Sequence, residues 1–120
     1  MTKHRPDPDD FLPLTPAIAH ILLALADQDR HGYAIMQEVE RITDGRVRMG
    51  PGTLYGTLQR LMEAGWVEET DGPGRVPDER RRYYRLSRSG REALKAEVER
   101  LDALVRGARA RGIVPRTSRG

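Results

Sequence analysis

Apolar residues recur at helical spacing in four stretches of the chain, and these divide it before composition is considered. Leu14, Ile18, Ile21, Leu22 and Leu25 make the apolar face of a first helix, opened by Thr15 as cap and Pro16 in the first turn. Ile35, Met36, Val39 and Ile42 make that of a second, entered through His31-Gly32-Tyr33 and ending near Thr43-Asp44-Gly45, with Gln37, Glu38 and Arg41 outward. Leu54, Leu58, Leu61 and Met62 fall at i, i+4, i+7 and i+8 of a third. Gly50 is its N-cap, Pro51 its first residue, and Gly65 suits the left-handed position past its last turn. The fourth pattern differs: Leu94, Val98, Leu101, Val105 and Ala108 step by four, three, four and three, with Leu104 widening the stripe. That is a heptad seam. Ser87 and Ser89 are competing caps for this last helix.

Period-two patterns supply the strands. Trp66-Val67-Glu68-Glu69-Thr70 and the run ending Tyr83-Tyr84-Arg85-Leu86 bracket a polar loop rich in Gly and Pro, which predicts a hairpin with a long exposed tip and with Tyr84 and Leu86 inward. Arg46-Val47-Arg48-Met49 also alternates, with Val47 and Met49 inward, and can lend the hairpin a third short strand. The expected fold is therefore mainly α with a small β-hairpin, an α+β arrangement in which helix, glycine, strand, basic loop and strand follow in the order of a winged helix. The expected division is a flexible arm over residues 1–13, a winged helix-turn-helix over 14–86, a C-terminal dimerisation helix over 87–109 and a flexible basic tail over 110–120.

Charge sharpens this division. The chain carries a net charge of +3 and 32% charged residues, above the roughly 25% usual for globular proteins. From Asp71 to Arg91 there are seven arginines against three acids, so positive charge gathers on the hairpin. A polyanionic partner fits this balance. With no cysteine, disulfides and thiolate metal sites are excluded. His4, His20 and His31 have no second ligand at metal spacing, and neither a phosphate-cradling loop nor an activated nucleophile appears, so no enzymatic activity and no cofactor are expected. Glu68-Glu69 and Asp78-Glu79 are adjacent pairs whose members point apart, which argues against paired-carboxylate catalysis. The longest apolar run is too short to span a bilayer, and a soluble, cytoplasmic protein with no membrane partner is expected.

The third helix carries the candidate chemistry. Opposite its leucines, Thr53, Gly56, Thr57 and Arg60 point outward, with Tyr55 and Gln59 flanking. A small polar surface with one long cation is either a solvated helix face or one able to approach base edges in a major groove. The basic hairpin that follows favours the second. On that reading Thr53, Thr57 and Arg60 meet bases, Tyr55, Gln59, Arg46 and Arg48 meet phosphates, and Arg75, Arg80, Arg81 and Arg82 supply sequence-independent attraction. Tyr33 either donates to a phosphate or packs half-buried at the start of the second helix. The heptad stripe of Leu94, Val98, Leu101, Leu104, Val105 and Ala108 either folds back on the first helix or meets a second copy; its period and the flanking Glu97, Glu99, Arg100, Asp102 and Arg106 favour a homodimer.

Several of these segments share one resemblance. His31-Gly32-Tyr33, Gly52-Thr53-Leu54-Tyr55, Leu58, Arg60-Leu61, Gly65-Trp66-Val67, Arg81-Arg82-Tyr83-Tyr84, Leu86-Ser87 and Gly90, in this order, resemble the PadR family of bacterial transcriptional regulators over about residues 14 to 105. The resemblance implies a dimeric winged-helix repressor whose third helix enters the major groove while the wing follows the backbone, and a two-fold dimer in turn implies an inverted-repeat operator. Two positions depart from the family pattern: Gly56 stands where proline is usual, and Gly50 where serine is frequent. Operator preference therefore does not transfer. The sequence names no small-molecule effector, since the last helix holds no aromatic residue. A winged-helix module gripping an acidic protein partner is the alternative; salt-sensitive binding fits both readings, and selection of a defined duplex separates them.

Overall fold

The computed structural model describes residues 13–71 and 82–114. Its elements are α1 (Pro16–Ala24), β1 (Arg30–His31), α2 (Gly32–Ile42), α3 (Pro51–Glu63), β2 (Val67–Thr70), β3 (Tyr83–Leu86) and α4 (Arg88–Ala110). The predicted hairpin forms, with Val67 opposite Leu86 and Glu69 opposite Tyr84. Its third strand is not Arg46–Met49 but Arg30–His31, which pairs with β3 to give the antiparallel order β1-β3-β2. Two residues entering α2 pair their backbone with β3's outer edge, which would otherwise stay open. The Arg46–Met49 segment keeps only the burial half of its expectation: Val47 and Met49 pack on the core and the arginines are exposed.

Local chemistry explains the element ends. The Thr15 side chain accepts from the Ile18 N–H, and the His31 ring nitrogen Nδ1 accepts from the Ala34 N–H. Ser87, rather than Ser89, opens α4, accepting from the Gly90 N–H at 3.0 Å while donating to the Gly65 carbonyl at 2.6 Å. One hydroxyl thus joins the end of α3 to the start of α4. Gly65, at φ 83°, closes α3 with paired bonds from Gly65 N to Met62 O and from Trp66 N to Leu61 O, the arrangement that a left-handed residue makes possible.

Ile21, Leu22, Ile35, Val39, Leu54, Leu58, Trp66 and Val67 form the centre of a single core that draws on all the helices and the hairpin. Trp66 lies inside it. The first turns of α4 close the core through Gly90 and Ala93. A methyl group at Gly90 would run into the Trp66 carbonyl oxygen and Leu86, so glycine sets how closely α4 approaches the hairpin root. Arg30 ties the helices together: its Nε donates to the Ala24 carbonyl at 2.7 Å, and its guanidinium faces Asp27 and Glu38. Glu38, expected outward, is consequently half-buried, and hydrogen bonds from Arg41 hold its carboxyl below the ordinary carboxylate range.

Candidate nucleic-acid interface

α3 presents two chemically distinct sides. Leu54, Leu58 and Leu61 are buried, while Thr53, Tyr55, Gly56, Gln59 and Arg60 are exposed. Thr57 does not join them. It is only 4% exposed, and its Oγ1 donates to the Thr53 carbonyl at 2.8 Å. Its position beside Leu58 explains this: a core wider than the leucine stripe covers the next residue, and the hydroxyl is satisfied by back-bonding within the helix. Thr57 thus does not stand on the exposed polar side; its Oγ1 also accepts from Arg60 Nη2 at 3.5 Å, beside the exposed cation. Gln59 reaches toward Glu63 along the same surface.

Tyr33 and Tyr55 frame the junction of α2 with α3. Tyr33 is 61% exposed, so half-buried packing does not describe it. Tyr55 lies so close to α2 that a side chain at Gly32 would meet its hydroxyl, which accounts for a glycine in His31-Gly32-Tyr33. Arg46 and Arg48 are exposed immediately before α3; Arg48 faces Glu40 at 3.6 Å. At the hairpin root Arg82 is paired with Glu69 at 2.9 Å, and Arg85 with Asp29 at 3.4 Å. Arg82 therefore enters any encounter with a polyanion already partnered by a carboxylate. Arg75, Arg80 and Arg81 lie outside the described residues. Burial raises the Tyr84 phenol above its usual range, and the Glu69 carboxylate adds to the shift.

The heptad residues separate by position. Leu94 packs partly on its own core, whereas Val98, Leu101 and Leu104 are 52%, 41% and 64% exposed, and Val105 and Ala108 are half-buried. Glu97, expected among the charges flanking the stripe, is instead 3% exposed. It accepts from the Leu14 N–H at 3.3 Å and from Arg100 at 3.0 and 2.7 Å, and the Arg100 bond above all lowers its pKa. The signal that marks it is its spacing: Glu97 lies four residues after Ala93 and seven after Gly90, so the buried face of α4 passes through it. Among the described residues no three His, Cys, Asp or Glu side chains are placed to hold a metal ion, and no helix is long and apolar enough to cross a membrane.

Comparison with known proteins gives this arrangement a family. Residues 21–96 match the model of the Transcriptional regulator PadR-like family. The transcriptional regulator Rv3488 of Mycobacterium tuberculosis is 41% identical over 88 residues, covering 72% of this chain and 77% of the relative. A 37.1 kDa protein in transposon TN4556 of Streptomyces fradiae is 38% identical over 84 residues; the match takes in 70% of this chain but only 22% of that protein's length. Among solved structures, a complex of H. salinarum RosR superimposes with a TM-score of 0.68 at 28% identity, covering 82% of this chain and 81% of that one. A transcriptional regulator from Clostridium thermocellum gives 0.64 at 26% identity, covering 78% and 87%. The chain belongs to the PadR-like family of transcriptional regulators.

Proposed function

We propose that the protein is a homodimeric repressor that reads an inverted-repeat operator with α3. The observation that carries this reading is the surface of α3: Thr53, Gly56, Gln59 and Arg60 stand exposed on a helix whose opposite side is anchored in the core. Thr53 and Gly56 are small enough to allow the helix backbone near a groove floor, and Arg60 supplies the fork that pairs with a guanine edge. Thr53 and Arg60 are assigned to bases. Tyr33, Tyr55, Gln59, Arg46 and Arg48 are assigned to phosphates that fix position, and Arg75, Arg80, Arg81 and Arg82 to the backbone along the wing. The exposed Val98, Leu101 and Leu104 support dimerisation through α4, since an apolar stripe on a charged helix is stable when a second stripe covers it. A two-fold dimer then implies half-sites about one helical turn, roughly 10 bp, apart.

Selection of bound duplexes from a random pool, with the protein's mass measured in solution, tests this directly. The expected result is enrichment of an inverted repeat by a species of two chains; no enrichment, or a single-chain mass for the binding species, overturns it. Within that experiment Arg60→Ala is expected to reduce the preference for the selected duplex over random DNA by about tenfold or more. Paired replacement of Arg81 and Arg82 is expected to weaken binding to both and to flatten the salt dependence.

A further inference from the structure

The groove between α3 and the hairpin root holds a charge pair of its own. A cavity of about 460 Å³ is lined by Tyr55, Gln59 and Met62 from α3 and by Glu69, Arg82 and Tyr84 from the hairpin. Glu69 and Tyr84 are direct cross-strand partners, so their side chains share the face that carries Val67 and Leu86 into the core. Glu69 is thus a carboxylate on the helix-facing side of the hairpin, where the core gives way to open groove. Arg82 Nη1 donates to Glu69 Oε2 at 2.9 Å, with the two side chains 71% and 40% exposed. Tyr84 is 3% exposed and also lines this groove.

A carboxylate and a phosphate offer a guanidinium the same pair of acceptor oxygens. We propose that Glu69 is an internal competitor for DNA phosphate: it occupies Arg82 in the free protein, and a backbone phosphate entering the groove must displace it to reach Arg82. This rests on the DNA-binding reading above. An exposed ion pair is weak enough for the exchange to occur. After it, the Glu69 charge remains beside the phosphate, so Arg82 and Glu69 together neutralise none of the DNA charge. Glu69 therefore acts as a brake on the sequence-independent part of the affinity. It leaves a larger share of the binding to the base-facing surface of α3.

Glu69→Gln keeps the size of the side chain and removes its charge. The variant is expected to bind selected and random duplexes alike roughly three- to tenfold more tightly at low salt, with the slope of log affinity against log salt steeper by about one unit. In an Arg82→Gln background the same change is expected to give a clearly smaller gain, because only the repulsion between Glu69 and the phosphate is relieved and no guanidinium is released. An unchanged urea midpoint for each variant shows that the fold is intact. Equal affinity and slope for wild type and Glu69→Gln overturn the proposal, as does an equal gain with and without Arg82, which would reflect net charge alone. If the wild-type chain binds no duplex at any salt concentration, this proposal falls together with the reading on which it rests; a DNA-binding wild type with an inert Glu69→Gln overturns this proposal alone.

Discussion

α3 and α4 are both amphipathic and both rest on the same core, yet they leave opposite kinds of surface to solvent. α3 buries Leu54, Leu58 and Leu61 and exposes threonine, glycine, glutamine and arginine. α4 buries Gly90, Ala93 and Glu97 and exposes Val98, Leu101 and Leu104. In α3 the apolar side is spent on folding the chain, and what remains suits a polar partner. In α4 the side used for folding is made of small residues and a carboxylate, so most of its apolar area is still available for association. An apolar stripe in the sequence therefore does not by itself say that the chain's own core covers it.

The largest test of this contrast compares a leucine from each helix. Leu58→Ala is expected to destabilise the folded chain by about 3 kcal/mol, since the removed atoms leave a cavity in a closed core. Leu104→Ala is expected to change stability by no more than about 0.5 kcal/mol at concentrations where the chain is monomeric. The same change should lower the concentration-dependent part of the stability. Urea unfolding at several protein concentrations reads both, and equal losses at high dilution would break the contrast.

A smaller effect comes from the one charged group on the buried face of α4. The Glu97 pKa is depressed when folded, chiefly by the hydrogen bonds from Arg100 and then by that from the Leu14 N–H. A carboxyl depressed in the folded state adds stability that is complete above its unfolded value, about 4.3, and is lost as pH falls through the folded value. The melting temperature is therefore expected to fall as pH drops below that range, with Glu38 contributing in the same direction. Glu97→Gln should make the decline shallower; an identical acid profile would show that the Leu14 and Arg100 bonds do not persist in solution.

The smallest expected effect sharpens the α3 side. Gly56 lies mid-helix with open space where a methyl group would sit. Gly56→Ala is expected to raise stability by about 0.5–1 kcal/mol, the usual cost of glycine in a helix interior. Because that methyl projects from the surface assigned to DNA, affinity for a selected duplex should fall while stability rises. A variant that gains in both would show that α3 does not need close approach at this point.

Much of this architecture is legible in the residues themselves. Leucine spacing, Thr15-Pro16, Gly50-Pro51, Gly65 and Ser87 place helices and their ends because each acts within one turn of its own position. Alternation places β2 and β3 and puts Tyr84 and Leu86 inward. What depends on distant neighbours is not legible. Arg30–His31 is a strand only because β3 has an open edge beside it, and two residues carry no period. Thr57 and Glu97 look outward on a wheel drawn for one helix, but neighbouring elements cover both. The Arg82–Glu69 pair joins positions thirteen residues apart across a hairpin.

The sequence by itself determined where the helices and the hairpin lie, which faces are apolar, and that arginines gather in the hairpin segment, since these follow from short-range periodicity and composition. Only the tertiary structure decided how wide each buried face is and which charges find partners. Burial and pairing are properties of elements packed together, and the same threonine, glutamate or arginine is exposed or enclosed according to what the rest of the chain brings against it.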